Sequence, residues 1–171
     1  RSAAPEPARK KPCILFVGIN GKGMPELSVR AECEEVRERL IMGLGGIDRW
    51  RDHVFIDDVD PSKGPTELAD MILKYKPDIV HIATHGEEDG VLLACDAFVE
   101  NWLIARVFEA LNESQGIRLV VANACLSTGV AEMLSGYVEF VIGHRDKLPD
   151  ARAIAFSKTL YLSLSCGQSL E

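Results

Sequence analysis

Three short runs constrain this chain more than any other feature: Cys13–Ile19, Asp78–Thr84 and Arg118–Ala122 are predominantly apolar. A strand with one wet face alternates apolar and polar residues, so a continuously apolar strand is one covered on both faces. Between these runs the apolar spacing lengthens to that of a helix. Val29, Cys33, Val36, Leu40 and Leu44 recur in this way with Arg and Glu between them, and Gly43, Gly45 and Gly46 stop the segment. Strand and helix in alternation, with strands of this kind, predict an α/β fold with a mostly parallel central sheet between two helical layers. Crossovers are then right-handed, and ligand or catalytic groups belong at the carboxyl ends of the strands.

The remaining elements follow the same logic. His53–Ile56 reads as a short strand ending in Asp57-Asp58, and Pro65 opens a helix whose apolar face is Leu68, Ile72 and Tyr75. Lys76-Pro77 closes it. Val91–Leu93 and Ala97–Val99 suit a small hairpin around Cys95-Asp96. A helix from about Asn101 carries Leu103, Val107, Phe108 and Leu111. Gly129–Leu134 reads as a short helix and Val138–Ile142 as the fifth strand. Asp150 is placed to cap a final helix with Ile154, Ser157, Leu160, Tyr161 and Leu164 inward, and Gly167 ends it. Trp50 and Trp102 are expected to cover the core.

Residues 1–12, rich in Pro, Ala and basic residues, read as a flexible tail or linker, and 13–171 as one domain. The chain begins with Arg1, and Gln168–Glu171 resembles the start of another helix, so a fragment of a longer protein is expected. Net charge is −7 and no Lys/Arg stripe stands out, which disfavours direct nucleic-acid binding. No apolar stretch approaches the ~20 residues that cross a bilayer. The five cysteines are widely spaced without a CxxC pair, which argues against a disulfide framework and for a reducing, cytoplasmic setting.

Two of the apolar runs end in reactive side chains. Val80–Ala83 leads through Thr84 to His85-Gly86, and Val120–Ala122 leads through Asn123-Ala124 to Cys125. On neighbouring strands these ends bring an imidazole and a thiol to one edge of the sheet, which suits a cysteine nucleophile with a histidine base. A free thiol is mostly protonated at neutral pH. A nearby imidazole and the start of the helix after Cys125 both favour the thiolate. The N–H groups of Gly86 and Cys125 are candidate oxyanion donors, with Gly86 permitting close backbone approach. Taken singly, Cys125 is more simply a buried inert thiol and His85 a satisfied polar residue. Their pairing at adjacent strand ends carries the catalytic reading.

The weaker signals resolve blandly. His81, four residues before His85 but within a strand, reads as a core histidine. A zinc site from His81, His85 and Cys95 or Cys125 lacks ligand spacing, so no metal is expected. Asp57, Asp58 and Asp60 read as a solvated cluster rather than a Mg²⁺ site. Gly18–Gly23 matches neither a dinucleotide fingerprint nor a P-loop and reads as a turn able to line a pocket. Ser127 lacks the GxSxG elbow.

The blocks HIATHG and VVANACLSTG, followed by a strand and the helix DARAIAFSKTLYLSLSCGQSLE, resemble the caspase-like CHAT peptidases of clan CD. Caspases, metacaspases, separase and clostripain-type proteases are their relatives. The resemblance spans roughly 13–171 and implies a caspase-like three-layer α/β/α sandwich. It makes His85 the catalytic histidine, Cys125 the nucleophile, Gly86 and Cys125 the main-chain oxyanion donors, and Asn123 a residue lining the substrate-binding S1 pocket. In such families the histidine stands apart from the thiol at rest and mainly protonates the leaving amine. Asn123 is neutral where metacaspases carry Asp and caspases Gln, and the chain lacks QACRG, so no charge preference follows from this position. The resemblance further implies a cysteine endopeptidase that needs no cofactor, takes a protein or peptide substrate, and serves as a bacterial antiviral-defence or cell-death effector. A sensor domain or partner protein would activate it by ordering loops 86–90, 126–129 and 144–150. The competing expectations are a catalytically silent caspase-like scaffold and an unrelated doubly wound signalling or metal-hydrolase domain.

Overall fold

A computed structural model describes residues 12–46, 55–59, 64–94 and 97–170. The expected tail, Trp50, His53, Asp60 and the Cys95-Asp96 turn lie outside the described residues. The elements are β1 (Cys13–Gly18), α1 (Val29–Gly43), β2 (Phe55–Val59), α2 (Pro65–Tyr75), β3 (Ile79–Ala83), β4 (Gly86–Glu87), β5 (Gly90–Ala94), β6 (Ala97–Glu100), α3 (Asn101–Gln115), β7 (Leu119–Asn123), α4 (Thr128–Leu134), β8 (Phe140–Ile142) and α5 (Asp150–Ser165).

Five strands form one sheet in the order β2-β1-β3-β7-β8, every pair parallel. Successive residues of a strand face opposite sides, and here both sides are apolar. Leu15, Val17, Val80, Ile82, Val120 and Ala122 face α2, α3 and α4, packing on Leu68, Ile72, Ile104, Phe108, Val130 and Leu134. Ile14, Phe16 and Ala83 face α1 and α5, packing on Cys33, Val36, Leu40 and Tyr161. This is the three-layer α/β/α sandwich, and the two-sided burial explains why the strands read as unbroken apolar runs.

Local chemistry sets the helix boundaries. Pro65 occupies the first turn of α2 after Gly64, and Lys76 ends that helix in the left-handed conformation (φ 49°) just before Pro77. α5 differs from expectation: Pro149 is its N-cap and no side chain caps it. The Asp150 carboxylate instead accepts the Ser28 N–H at the start of α1, 3.3 Å from each oxygen.

Several expectations shift. β2 runs through Asp57 and Asp58, which pair with Leu15 and Phe16 rather than ending the strand. The segment after His85 is not only a loop, because β4 joins β5 and β6 in a three-stranded antiparallel sheet. On α3 the inward stripe is Ile104, Ala105 and Phe108, while Leu103 is 39% exposed and Trp102 53% exposed. Trp102 donates its indole N–H to Glu100 instead of covering the core. On α5 the buried stripe is Ala153, Ser157 and Tyr161, with Ile154 half-buried.

Leu15 is fully buried at the centre of the sheet. Leu15→Ala is expected to lower unfolding stability by about 2–5 kcal/mol through lost transfer energy and a residual cavity. A urea titration followed by circular dichroism checks this.

Candidate active site

β3 and β7 are neighbours, with Ala83 opposite Asn123. His85 and Cys125 each lie two residues beyond that pair, so the parallel register sets them level at the carboxyl edge of the sheet. Both side chains line one cleft, together with Leu27, Val29, Glu32, Ala83, Thr84, Asn123, Ala124, Leu148, Asp150 and Ala153. The cleft holds about 340 Å³ of space open to solvent. The close approach of the two strand ends depends on Gly86. A side chain there would press into the Cys125 carbonyl oxygen and lie 3.0 Å from the Ala124 Cβ.

Backbone contacts hold His85. Its Nε2 lies 2.9 Å from the Pro25 carbonyl oxygen. A carbonyl only accepts, so Nε2 carries a proton, and in the neutral ring Nδ1 is the nitrogen able to accept one. The loop bearing Pro25 is closed by a reciprocal clamp: Leu27 N–H donates to Asn20 Oδ1 at 2.7 Å, and Asn20 Nδ2 donates to the Leu27 carbonyl at 3.1 Å. The turn after β1 thus contributes through Asn20 rather than through its glycines. Thr84 is buried, and its hydroxyl donates to the Leu92 carbonyl at 2.8 Å. Leu92 N–H donates to the His85 carbonyl at 2.9 Å, which fastens β5 behind the histidine.

Cys125 is half-buried, and its sulfur accepts the Leu148 N–H at 3.2 Å. As a thiol it donates to the Leu148 carbonyl at 3.6 Å. The segment before α5 therefore closes over the sulfur. Leu126 follows in the left-handed region at φ 51°, a conformation costing a non-glycine residue roughly 1–3 kcal/mol. It turns the chain sharply out of the strand. Ser127, which had no expected role, is the post behind this turn. It is 1% exposed, its hydroxyl lies 2.8 Å from both the Ala122 and Ala124 carbonyls, and it accepts the His144 N–H at 2.9 Å.

Behind the cleft runs a buried polar chain absent from the sequence reading. Asn123 is 4% exposed, and its amide is engaged at both ends. Oδ1 accepts from His144 Nε2 at 2.9 Å, while Nδ2 donates to Glu32 Oε1 and contacts Ser157 Oγ at 3.1 Å. Ser157 Oγ also donates to Glu32 Oε1. His81 Nε2 lies 2.9 Å from the same oxygen, and its Nδ1 is 3.1 Å from the Tyr161 hydroxyl. Its ring stacks on Phe16 at 4.7 Å. His81 is thus a core histidine with both nitrogens occupied, and it does not reach the cleft. Glu32 on α1 escaped notice as one of the helix's charged residues. Yet it lies three residues after Val29 and four before Val36, inside the apolar stripe, and that spacing was the available signal.

These contacts set the charges. Burial by itself would raise the Glu32 carboxyl. The hydrogen bond and attraction from His81, with the hydrogen bonds from Ser157 and Asn123, outweigh it and hold the pKa below its ordinary 4.5. Burial lowers the His144 pKa below 6.5; the Glu32 charge opposes this and His81 adds to it. Burial pushes the Tyr161 hydroxyl far up, so it stays a donor. Among the described residues no group of three or more His, Cys, Asp and Glu side chains is arranged to hold a metal. No helix among them is long and apolar enough to cross a membrane.

No protein-family model matches the chain. It is 26% identical over 161 residues to a "Probable protease" of Gillisia limnaea, an alignment covering 90% of this chain and 27% of that protein. The chain thus spans about a quarter of the length of that relative. A solved structure of an oxidoreductase from Corynebacterium diphtheriae aligns over 94% of this chain and all of its own. Its TM-score of 0.45 and identity of 13% carry no argument about this chain.

Three outcomes are expected. Gly86→Ala forces the strand ends apart, destabilising the fold by about 1–3 kcal/mol and slowing alkylation of Cys125, read by thermal melting and mass spectrometry. Glu32, its folded pKa depressed, contributes stability that is present above pH 4.5 and is lost as pH falls through the folded pKa. The neutral ring of His144 likewise contributes stability present above pH 6.5 and lost as pH falls below it. Glu32→Gln should flatten the acid limb of a stability–pH curve measured by urea unfolding, and His144→Gln the limb just below neutrality.

Proposed function

We propose that this chain is a cysteine endopeptidase of the caspase-like CHAT type, with Cys125 as nucleophile and His85 as general acid–base. The observation that carries the reading is the common cleft, which Cys125 and His85 both line, with the imidazole held by the Pro25 carbonyl. This is the nucleophile–base–orienter arrangement of thiol hydrolases. His85 Nδ1 takes the Cys125 thiol proton, the resulting thiolate adds to the scissile carbonyl carbon, and the carbonyl electron pair moves onto oxygen. The N–H groups of Gly86 and Cys125 stabilise that oxyanion. Collapse expels the amine, which takes its proton from His85 Nδ1 and leaves a thioester on Cys125. His85 then deprotonates a water that attacks the thioester, restoring the thiol and releasing the acid.

The Leu148 contacts to the sulfur describe a resting state. In this reading the 144–149 segment moves off the sulfur on activation, and a sensor domain or partner protein is the natural agent. In this reading the domain is a cytoplasmic effector module of bacterial antiviral defence or cell death. The substrate is a protein or peptide, Asn123 forms part of the pocket beside the nucleophile, and the chemistry calls for no cofactor.

Cys125→Ala is expected to abolish peptide cleavage, and His85→Ala to reduce it by roughly 10²–10⁴-fold. Both are measured on the activated protein with a peptide library. Intact cleavage in either variant would overturn the assignment. A wild-type protein that neither cleaves nor reacts with peptidyl electrophiles would be a silent scaffold.

A further inference from the structure

The loop between β1 and α1 carries neither reactive side chain, yet the strand end that bears His85 is built against it. Ile19 N–H donates to the Ala83 carbonyl at 3.0 Å, so Asn20 follows backbone fixed to the end of β3, two residues before the histidine. The half-buried Asn20 amide takes both main-chain groups of Leu27. Oδ1 accepts the N–H at 2.7 Å and Nδ2 donates to the carbonyl at 3.1 Å. Within the loop, Met24 N–H donates to the Gly21 carbonyl at 3.2 Å. Gly21 lies so close to Leu92 that a Cβ there would come within 2.9 Å of that side chain. Leu92 N–H in turn donates to the His85 carbonyl at 2.9 Å. These contacts close a ring that begins and ends on the histidine, from its carbonyl through Leu92 to Gly21, then through Pro25 back to Nε2. Pro25 itself is exposed, and exposed loop backbone opens at little free-energy cost unless it is tied down.

We propose that Asn20 is a positioning residue for the dyad: by clamping Leu27 it holds the Pro25 carbonyl against His85 Nε2, and so keeps Nδ1 as the nitrogen that exchanges protons with Cys125 and the leaving amine. The catalytic consequence rests on the peptidase reading; the hold on the ring does not. An amide side chain suits the position because it accepts and donates at once, and Leu27 presents one group of each kind. Ala deletes both bonds, and Asp deletes the donated one. Asp150 also holds this stretch, accepting the next N–H, that of Ser28, 3.3 Å from each oxygen. Asp150 directly follows the segment that covers the sulfur, so its hold weakens when that segment moves off. Asn20 is fixed to β3 instead, and it keeps the imidazole oriented while the nucleophile is uncovered. A ring that is free to turn presents the wrong nitrogen for part of the time, and a misplacement of about 1 Å costs on the order of 10²-fold in rate.

Two measurements separate the hold on the ring from the peptidase reading. The first follows the His85 Nε2–H proton by NMR of ¹⁵N-labelled protein, its resonance assigned by its loss in His85→Gln. Asn20→Ala is expected to speed exchange of this proton with water about tenfold or more, because the bond that protects it opens more often. Asn20→Asp keeps the acceptor for Leu27 N–H and should give an intermediate rate. The second is a double-mutant cycle on peptide cleavage by the activated protein. Asn20→Ala should lower kcat about tenfold or more with His85 present. In a His85→Ala background the same substitution should change the residual rate by less than about twofold, since a residue that acts through His85 has nothing left to position. A purely structural residue would lower both rates alike. Circular dichroism checks that each variant is folded, and Asn20→Asp carries both measurements should Asn20→Ala unfold. A folded Asn20→Ala protein overturns the proposal if the ring proton exchanges at the wild-type rate, if kcat is unchanged, or if as much rate is lost without His85 as with it. Wild-type protein that cleaves no peptide, while Asn20→Ala still speeds the exchange, sinks the peptidase reading and keeps Asn20 as the residue that positions the ring.

Discussion

The parallel pairing of Ile79–Ala83 with Leu119–Asn123 is the constraint on which the rest depends. A strand buried on both faces cannot slip by one residue without turning every side chain to the other layer. Here that would exchange His81, packed among α1 and α5 residues, with Val80 and Ile82, packed toward α2, α3 and α4. The core therefore holds the register, and the register holds His85 level with Cys125. Residues with no reactive group, such as Val80 and Val120, thus determine where the reactive groups stand.

A second constraint runs beneath the first. Glu32 is an anion in the interior, where an isolated charge is expensive. His81, Asn123 and Ser157 all converge on one of its oxygens, from β3, β7 and α5 respectively. The carboxylate thus ties α1 to the sheet and to α5 from the helical side, next to the cleft. His144 extends the chain to the loop that follows β8. Since Ser127 accepts the His144 N–H and supports the turn after Cys125, the loop and the nucleophile share one support. Breaking such a buried network at one member typically costs more than the net worth of any single bond in it.

Much of the fold was legible. Unbroken apolar strands marked a two-sided sheet, and Pro65, Lys76-Pro77 and the His85-Gly86 pair punctuated it correctly. The misreadings have physical causes. β2 carries Asp57 and Asp58 within the strand, and a charge pair read from sequence looks like an end. On α3, Leu103 and Ile104 are equally apolar neighbours, so spacing alone could not choose the inward one. Glu32 stood out no more than the other charged residues between the apolar positions of α1, because acids are almost never fully buried unless paired. Its partners lie 49, 91 and 125 residues away.

By itself the sequence determined the layer architecture and the presence of an imidazole and a thiol at strand ends, because periodicity and strand-end chemistry are local properties. The tertiary structure alone decided which atoms meet. It set His85 Nε2 against the Pro25 carbonyl, laid Leu148 over the sulfur, and gathered His81, Asn123 and Ser157 onto one oxygen of Glu32 in the cleft wall. Those contacts join residues far apart in the chain, and only the packing of α1, the Pro25 loop and the segment before α5 onto one edge of the sheet brings them within bonding distance.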